Sequence, residues 1–360
     1  MRNATVRETQ VLGEARRRIV ELLPASWRLD GRGEVAFRDE RFDAVVELVG
    51  PNGGTASFAV EVKPSGSVPT QVLLNMLRER GRRTGLPMLF VSDYIGPSLR
   101  DALTAENISF ADATGWVRVV SEEPLILLTG HGVNRSPNTR PDSAVTRLNG
   151  IAASRAIRAL SKVDLPLGVR ELANLANVSP GSVSKLLATL ASEGIVDRDE
   201  KGGVLAVRRR ALIRRWVQDY SFTKSNHSAG YYIAPRGLDR AVAQLANRAG
   251  IALTGSAAAR RVLSEGVTSV VPLRLLAIYA AEPLALSRDL GLIDAEQATA
   301  NVVVAAPQDA DILTEPGDRS PMTAPVALVL ADLLTLPGRS DAEADQLMEA
   351  LAKNDNAWKV

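Results

Sequence analysis

The chain of 360 residues contains no cysteine. Disulfides, cysteine-ligated zinc, iron–sulfur clusters and thiol nucleophiles are excluded, and a reducing compartment is favoured. There are two histidines, His131 and His227, which nearly excludes a histidine-rich metal site. Aromatic residues make up only 4%, too few for a base-stacking platform for single strands. No apolar run approaches the roughly 18 residues of a membrane span. The opening stretch, MRNATVRETQVLGEARRRIVELL, is charged throughout and lacks the apolar core of a signal peptide. A cytoplasmic protein with no membrane partner is expected.

What is present is ordinary for a globular chain: 46% apolar and 23% charged residues. At roughly 100–200 residues per domain, the length predicts two or three domains. The formal net charge of +2, taken alone, speaks against a strongly basic nucleic-acid binder. The charge is unevenly spread, however. Residues 1–136 carry 17 basic and 17 acidic side chains, residues 137–224 carry 15 and 8, and residues 225–360 carry 11 and 16. Polar, turn-forming stretches at 132–144 and 223–230 mark the cuts. Three domains are expected, at 1–136, 145–222 and 230–360, with no internal repeat.

In the first segment a helix is predicted over 7–23. Short β-branched runs follow at 34–37, 42–49 and 56–63. A helix at 69–84, a strand at 88–92, a helix at 97–106 and strands at 108–112 and 116–120 complete an α/β layer pattern. Strand alternation puts Glu61 and Lys63 on one face, and a paired neighbouring strand would set Asp43 beside them. Two carboxylates suit Mg²⁺, and a lysine there would assist an attacking water. The plainer alternative is an exposed polar face with a cross-strand ion pair.

Asp43, Glu61 and Lys63, in FDAVVELV…FAVEVK, together with the order of elements, resemble the PD-(D/E)xK superfamily with its restriction-endonuclease-like fold. The resemblance covers about residues 7–120. It implies Asp43 and Glu61 as Mg²⁺ ligands and Lys63 as a catalytic residue. Gln71 would fill a polar role at the next helix, and Glu14 or Glu21 would supply a helical carboxylate. The leading proline of the motif is absent, because Arg41 and Phe42 precede Asp43. The superfamily also contains members that keep the fold as a binding or structural module.

The second segment carries the most specific pattern. A helix at 152–161 precedes LGVRELANLANVSPGSVSKLLATLASEGIVDRD at 167–199, which reads as helix, tight turn, helix. Ser179 is a good N-cap, Pro180 suits the first helical position and Gly194 stops the helix. Strands at 195–198 and 204–207, joined by a turn at 200–203, form a wing. Ser182, Ser184, Lys185 and Thr189 are expected to face outward, with Gly181 allowing close backbone approach. Arg170, Ser179, Lys201, Arg208, Arg209 and Arg210 complete the expected contacts to double-stranded DNA. The segment resembles the winged helix-turn-helix of many bacterial transcription regulators over about residues 150–210. Such modules also serve protein interaction, and an arginine run is often only a solvated face.

The third segment is acidic and alanine-rich. A helix is expected at 236–250, and IALTGSAAARRVL at 251–263 reads as strand, turn and helix. The runs at 274–280 and 324–330 fit strand or helix, and 300–307 fits a strand. Ser340 and Glu343 form a capping box on a closing helix. An anion could sit at the Thr254–Ser256 turn, but an N-capped helix is preferred. A winged helix followed by LTGSAAA and VLADLLTLPGRSDAEADQLMEAL resembles AbiEi-type antitoxins over about residues 150–350. That resemblance implies a repressor of its own operon whose C-terminal domain contacts a toxin-like partner.

The expected fold is thus multi-domain α/β and α+β. It comprises a restriction-endonuclease-like α/β domain, a central winged helix-turn-helix and a C-terminal mixed α/β domain. The expected function is a dimeric DNA-binding regulator needing no cofactor. The alternative is a Mg²⁺-dependent DNA endonuclease targeted by its winged helix.

Overall fold

A computed structural model describes residues 6–37, 40–133, 147–246, 248–263, 272–314, 322–337 and 340–359. Most of the linker at 132–144 and the Ser340 hydroxyl lie outside the described residues. Backbone proximity divides the chain into two compact units. One comprises 1–146 and 184–206, the other 147–183 and 207–360. The composition and the packing therefore cut the chain differently.

The first unit opens with α1 (Val6–Leu22), β1 (Arg28–Phe37), β2 (Glu40–Val49) and β3 (Thr55–Val62). Then come α2 (Thr70–Thr84), β4 (Met88–Ser92), α3 (Pro97–Ala105), β5 (Ser109–Asp112), β6 (Val117–Ser121) and β7 (Ile126–Gly130). The seven strands form one sheet in sequence order. Pairing is antiparallel from β1 to β3, parallel from β3 through β4 to β5, and antiparallel again to β7. The parallel steps coincide with α2 and α3, because a parallel neighbour needs a crossover. Alternation sorts the two faces. Ala44, Val46, Leu48, Phe58 and Val60 pack with Ala15 and Ile19 of α1. On the other face Ala59, Met88, Phe90 and Phe110 meet Leu73, Leu77 and Leu103.

The chain continues through α4 (Ile151–Leu160), α5 (Val169–Leu175), α6 (Pro180–Ser192), β8 (Val196–Arg198), β9 (Val204–Val207) and α7 (Arg209–Trp216). From Ser184 to Ala206 it belongs to the first unit. There the Thr70 N–H, at the start of α2, donates to buried Asp197 Oδ1 of β8 at 3.1 Å. Asp197 thus caps α2 from a distance in sequence, satisfying an N–H that Pro69 at the cap position leaves open. A Cβ on Gly96 would lie 1.9 Å from the Glu193 carbonyl oxygen, so only glycine fits this approach.

The second unit adds α8 (Phe222–Ser225), β10 (His227–Ile233), α9 (Leu238–Gln244), β11 (Ile251–Thr254), α10 (Gly255–Val262) and β12 (Leu276–Ala280). It ends with α11 (Pro283–Asp289), β13 (Ile293–Asp294), β14 (Val302–Ala306), β15 (Met322–Thr323), α12 (Val326–Leu333) and α13 (Ser340–Ala352). Its sheet runs β13-β10-β14-β12-β11-β15. The helix expected at 236–250 is shorter, ending at Gln244. The run at 274–280 becomes a strand, whereas 324–330 becomes a helix. Every residue of α12 from Ala327 to Leu333 is buried, so no polar face marks its period.

Candidate nucleic-acid interface

The helix-turn-helix follows from local chemistry. Helix α5 ends where Asn177 takes a positive φ and the Val178 N–H returns to the Ala173 carbonyl at 3.0 Å. Ser179 then caps α6: its hydroxyl accepts the Ser182 N–H at 3.2 Å and lies 2.9 Å from the Ser182 hydroxyl. Val183, Leu186, Leu187 and Leu190 are buried, as the helical period requires. Gly194, at φ +72, ends the helix, and the Ile195 N–H closes back on the Leu190 carbonyl at 2.8 Å. Strands β8 and β9 pair as the wing. Its turn is tied by the Gly203 N–H donating to Asp199 Oδ1 at 2.7 Å.

Gly181, Ser184 and Lys185 are exposed on α6, Ser182 is half-buried, and Ser179 is exposed at its N-terminus. This end of a helix combines exposed hydroxyls and a cation with the bare backbone of Gly181, a set suited to phosphate and base edges. Arg170 is exposed on α5 and Lys201 on the wing turn. Thr189 requires a correction: it is buried, and its hydroxyl donates to the Lys185 carbonyl at 3.2 Å. It falls between Leu186 and Leu190 on the inward side of the helix.

The arginine run also differs from expectation. Arg209 is buried within the second unit, donating to the Leu160 and Val163 carbonyls and pairing with Asp355. Burial lowers its pKa. Arg210 pairs with Glu349 at 2.7 Å and donates to the Trp358 carbonyl at 3.2 Å. Arg208 is half-buried at the N-cap of α7. Arg209 and Arg210 thus hold α7 to the acidic C-terminus rather than forming a free cationic face.

Asp43 lies on the strand that pairs with the one carrying Glu61, which Lys63 directly follows. Ala44 pairs with Val60, and Asp43 Oδ2 accepts the Val62 N–H at 2.7 Å. Glu61 is buried, and its two oxygens face two cations of the chain, Lys63 Nζ and Arg80 Nη1. Arg80 also stacks over Phe42 and donates to the Arg41 carbonyl. Gln71 is exposed and donates to Asn75 Oδ1 at 3.2 Å, not to the carboxylate pair. Glu14 pairs with Arg17 and Arg18, and Glu21 with Arg18 at 3.3 Å. Among the described residues no group of three His, Asp or Glu converges as a metal site. Mg²⁺ needs carboxylate oxygens free to reach it. Here each Glu61 oxygen is paired with a cation of the chain itself.

Sequence reasoning missed Arg80, although the RERGRR run on α2 signalled a basic surface. It also missed a polar cluster in the second unit. Asp332 is fully buried and accepts from Tyr220 at 2.6 Å, from Tyr279 at 2.8 Å and from Thr254. Asn226 Nδ2 donates to the Tyr220 hydroxyl at 3.1 Å. Burial pushes the Asp332 carboxyl up to about 7 against the pull of these donors. At α10 the Thr254 hydroxyl is given to Asp332 and the Ser256 hydroxyl to Glu343. Carboxylates of the chain itself thus take the turn considered for an anion.

A helix, tight turn and helix followed by a two-stranded wing define a winged helix-turn-helix DNA-binding region. Residues 146–215 match the family of the Crp-like helix-turn-helix domain. No curated protein and no solved structure matches the chain. Among the described residues no helix is long and apolar enough to cross a membrane.

Proposed function

We propose that the chain is a sequence-specific transcription regulator that reads double-stranded DNA with the N-terminal half of α6. The observation that carries this reading is the capped N-terminus of α6. Ser179, Gly181, Ser184 and Lys185 are exposed there on a helix whose opposite side is buried. Ser184 and Lys185 are the specificity residues, while Arg170 and Lys201 serve the phosphate backbone. The three segments at 1–136, 145–222 and 230–360 act as sensing or assembly domain, reading head and partner-binding domain. The antitoxin-like resemblance supports a repressor whose acidic C-terminal domain holds a toxin-like protein.

The first domain belongs in this reading as a non-cleaving relative of the PD-(D/E)xK fold. The strand order, the parallel β3–β4 step through α2, and Asp43 beside Glu61 support the kinship. The pairing of Glu61 with both Lys63 and Arg80 argues against a working metal site. Supercoiled plasmid incubated with the chain and Mg²⁺ or Mn²⁺ is expected to shift in mobility and stay intact. Metal-dependent cleavage that disappears in Lys63→Ala would replace this reading with the endonuclease.

A further inference from the structure

The geometry points to the free edge of β7 as a self-association surface, on which a second copy of this chain adds its own β7 antiparallel across a two-fold axis. Strand β7 ends the seven-stranded sheet, and among the described residues no strand covers its outer side. Every other backbone N–H and C=O of an end strand points outward, a template for another strand. Its side chains are apolar where they meet solvent. Leu125 is 85% exposed and Leu127 67%, the two most exposed large apolar side chains described. Val133 follows at 49%.

Alternation explains the pattern. Ile126 and Leu128 pack toward α1, so Leu125, Leu127 and Thr129 fall on the opposite face. There β7 pairs with β6, with Leu127 beside Val120 and Thr129 beside Arg118.

Charge selects the occupant. From Pro124 to Val133 the sequence PLILLTGHGV carries no lysine, arginine, aspartate or glutamate. Natural edges are guarded by charge, internal proline or a bulge. The β6–β7 register is regular from Val117↔Gly130 to Ser121↔Ile126, without a bulge. At the far end of the sheet, exposed Arg28 and Asp30 guard β1. An uncharged strand is self-complementary: a two-fold centred on Leu127 sets the two Leu127 side chains opposite each other and Ile126 against Leu128, and opposes no like charges. The acidic Glu122–Glu123 end of each strand meets the His131–Gly132 end of its partner. One strand pair and its leucines lie at or below the low end of the ~1,200–2,000 Å² that stable interfaces bury. The dimer is therefore expected to be concentration-dependent, with a dissociation constant on the order of micromolar.

Sedimentation of the full chain without DNA tests this independently of DNA reading. The mass is expected to rise from 38.5 kDa toward twice that value between about 1 and 100 µM. Leu127→Lys is expected to weaken association at least tenfold, whereas Val72→Lys, at an exposed position of α2, leaves it unchanged. Both sites are exposed, and matching circular dichroism verifies folding. Because the chain has no cysteine, Leu127→Cys, on the axis, supplies a second readout. It is expected to form a disulfide-linked dimer, whereas Val72→Cys on α2 forms none. A monomer at every concentration overturns the inference. So does a dimer indifferent to Leu127→Lys and not linked through Leu127→Cys.

Discussion

A lysine, a serine and an aspartate carry the account at the scale of single residues. Lys201 is exposed on the wing turn, so Lys201→Ala removes one phosphate contact from DNA. Binding is expected to weaken alike on all sequences, with the salt slope falling by about one. Anisotropy titrations at several salt concentrations measure both. Ser184→Ala is expected to change which sequence is preferred more than how salt acts. Asp332 behaves differently, because its folded carboxyl titrates near 7 and its unfolded one near 4. Between those values the folded state holds the extra proton. Stability should therefore fall as pH rises from about 4 to about 7, then level off. Asp332→Asn is expected to remove that part of the slope in urea unfolding followed by tyrosine fluorescence. Ser179 and Gly194 were legible in the sequence because caps and stops act within four residues. The Asp332 cluster was not. Its partners lie 53, 78 and 112 residues away, and no local propensity records such pairings.

At the scale of elements, what matters is which charges are buried. Helix α4 is pinned by Arg155 and Arg158, which share Asp309 at the approach to a short 3₁₀ turn. Asp309 is buried. Burial raises its pKa, but the Arg155 hydrogen bond and the charges of Arg158 and Arg155 outweigh that and hold it low. Asp309→Ala removes the buried carboxylate that Arg155 and Arg158 share, leaving Arg155 its pairing with exposed Asp311, and is expected to cost about 3–5 kcal/mol in denaturant unfolding. Arg214 and Asp345 pair at 2.8 Å on an exposed surface, so Asp345→Ala should cost under about 1 kcal/mol. The same contrast explains the arginine run. A sequence shows a cationic stretch, whereas Asp355 and Glu349, some 140 residues later, decide that Arg209 and Arg210 are structural. Amphipathic elements such as α1, α2 and α6 were readable from their period. The fully buried α12 was not, since burial on every side erases it.

For the whole molecule, the net charge of +2 conceals the organisation. The middle segment is basic, but part of that charge is spent on the acidic tail within the second unit. The surplus left for DNA sits at exposed positions such as Arg170, Lys185 and Lys201. The order of strands and helices from α1 to β6 followed from alternation and turn residues, whereas β7 was not read from the sequence. The fate of its carboxylates did not, because Arg80 reaches Glu61 from across a crossover.

Helix α6 is expected to read a DNA sequence. Selection from a pool of random-sequence duplexes, with the full chain as bait, tests it most directly. The wild-type chain is expected to enrich one motif and bind it at least about 10³-fold tighter than the unselected pool. The Ser184→Ala, Lys185→Ala double variant is expected to lose that enrichment while remaining folded. Failure of the wild-type chain to enrich any motif, or recovery of the same motif at the same affinity by the double variant, would contradict it.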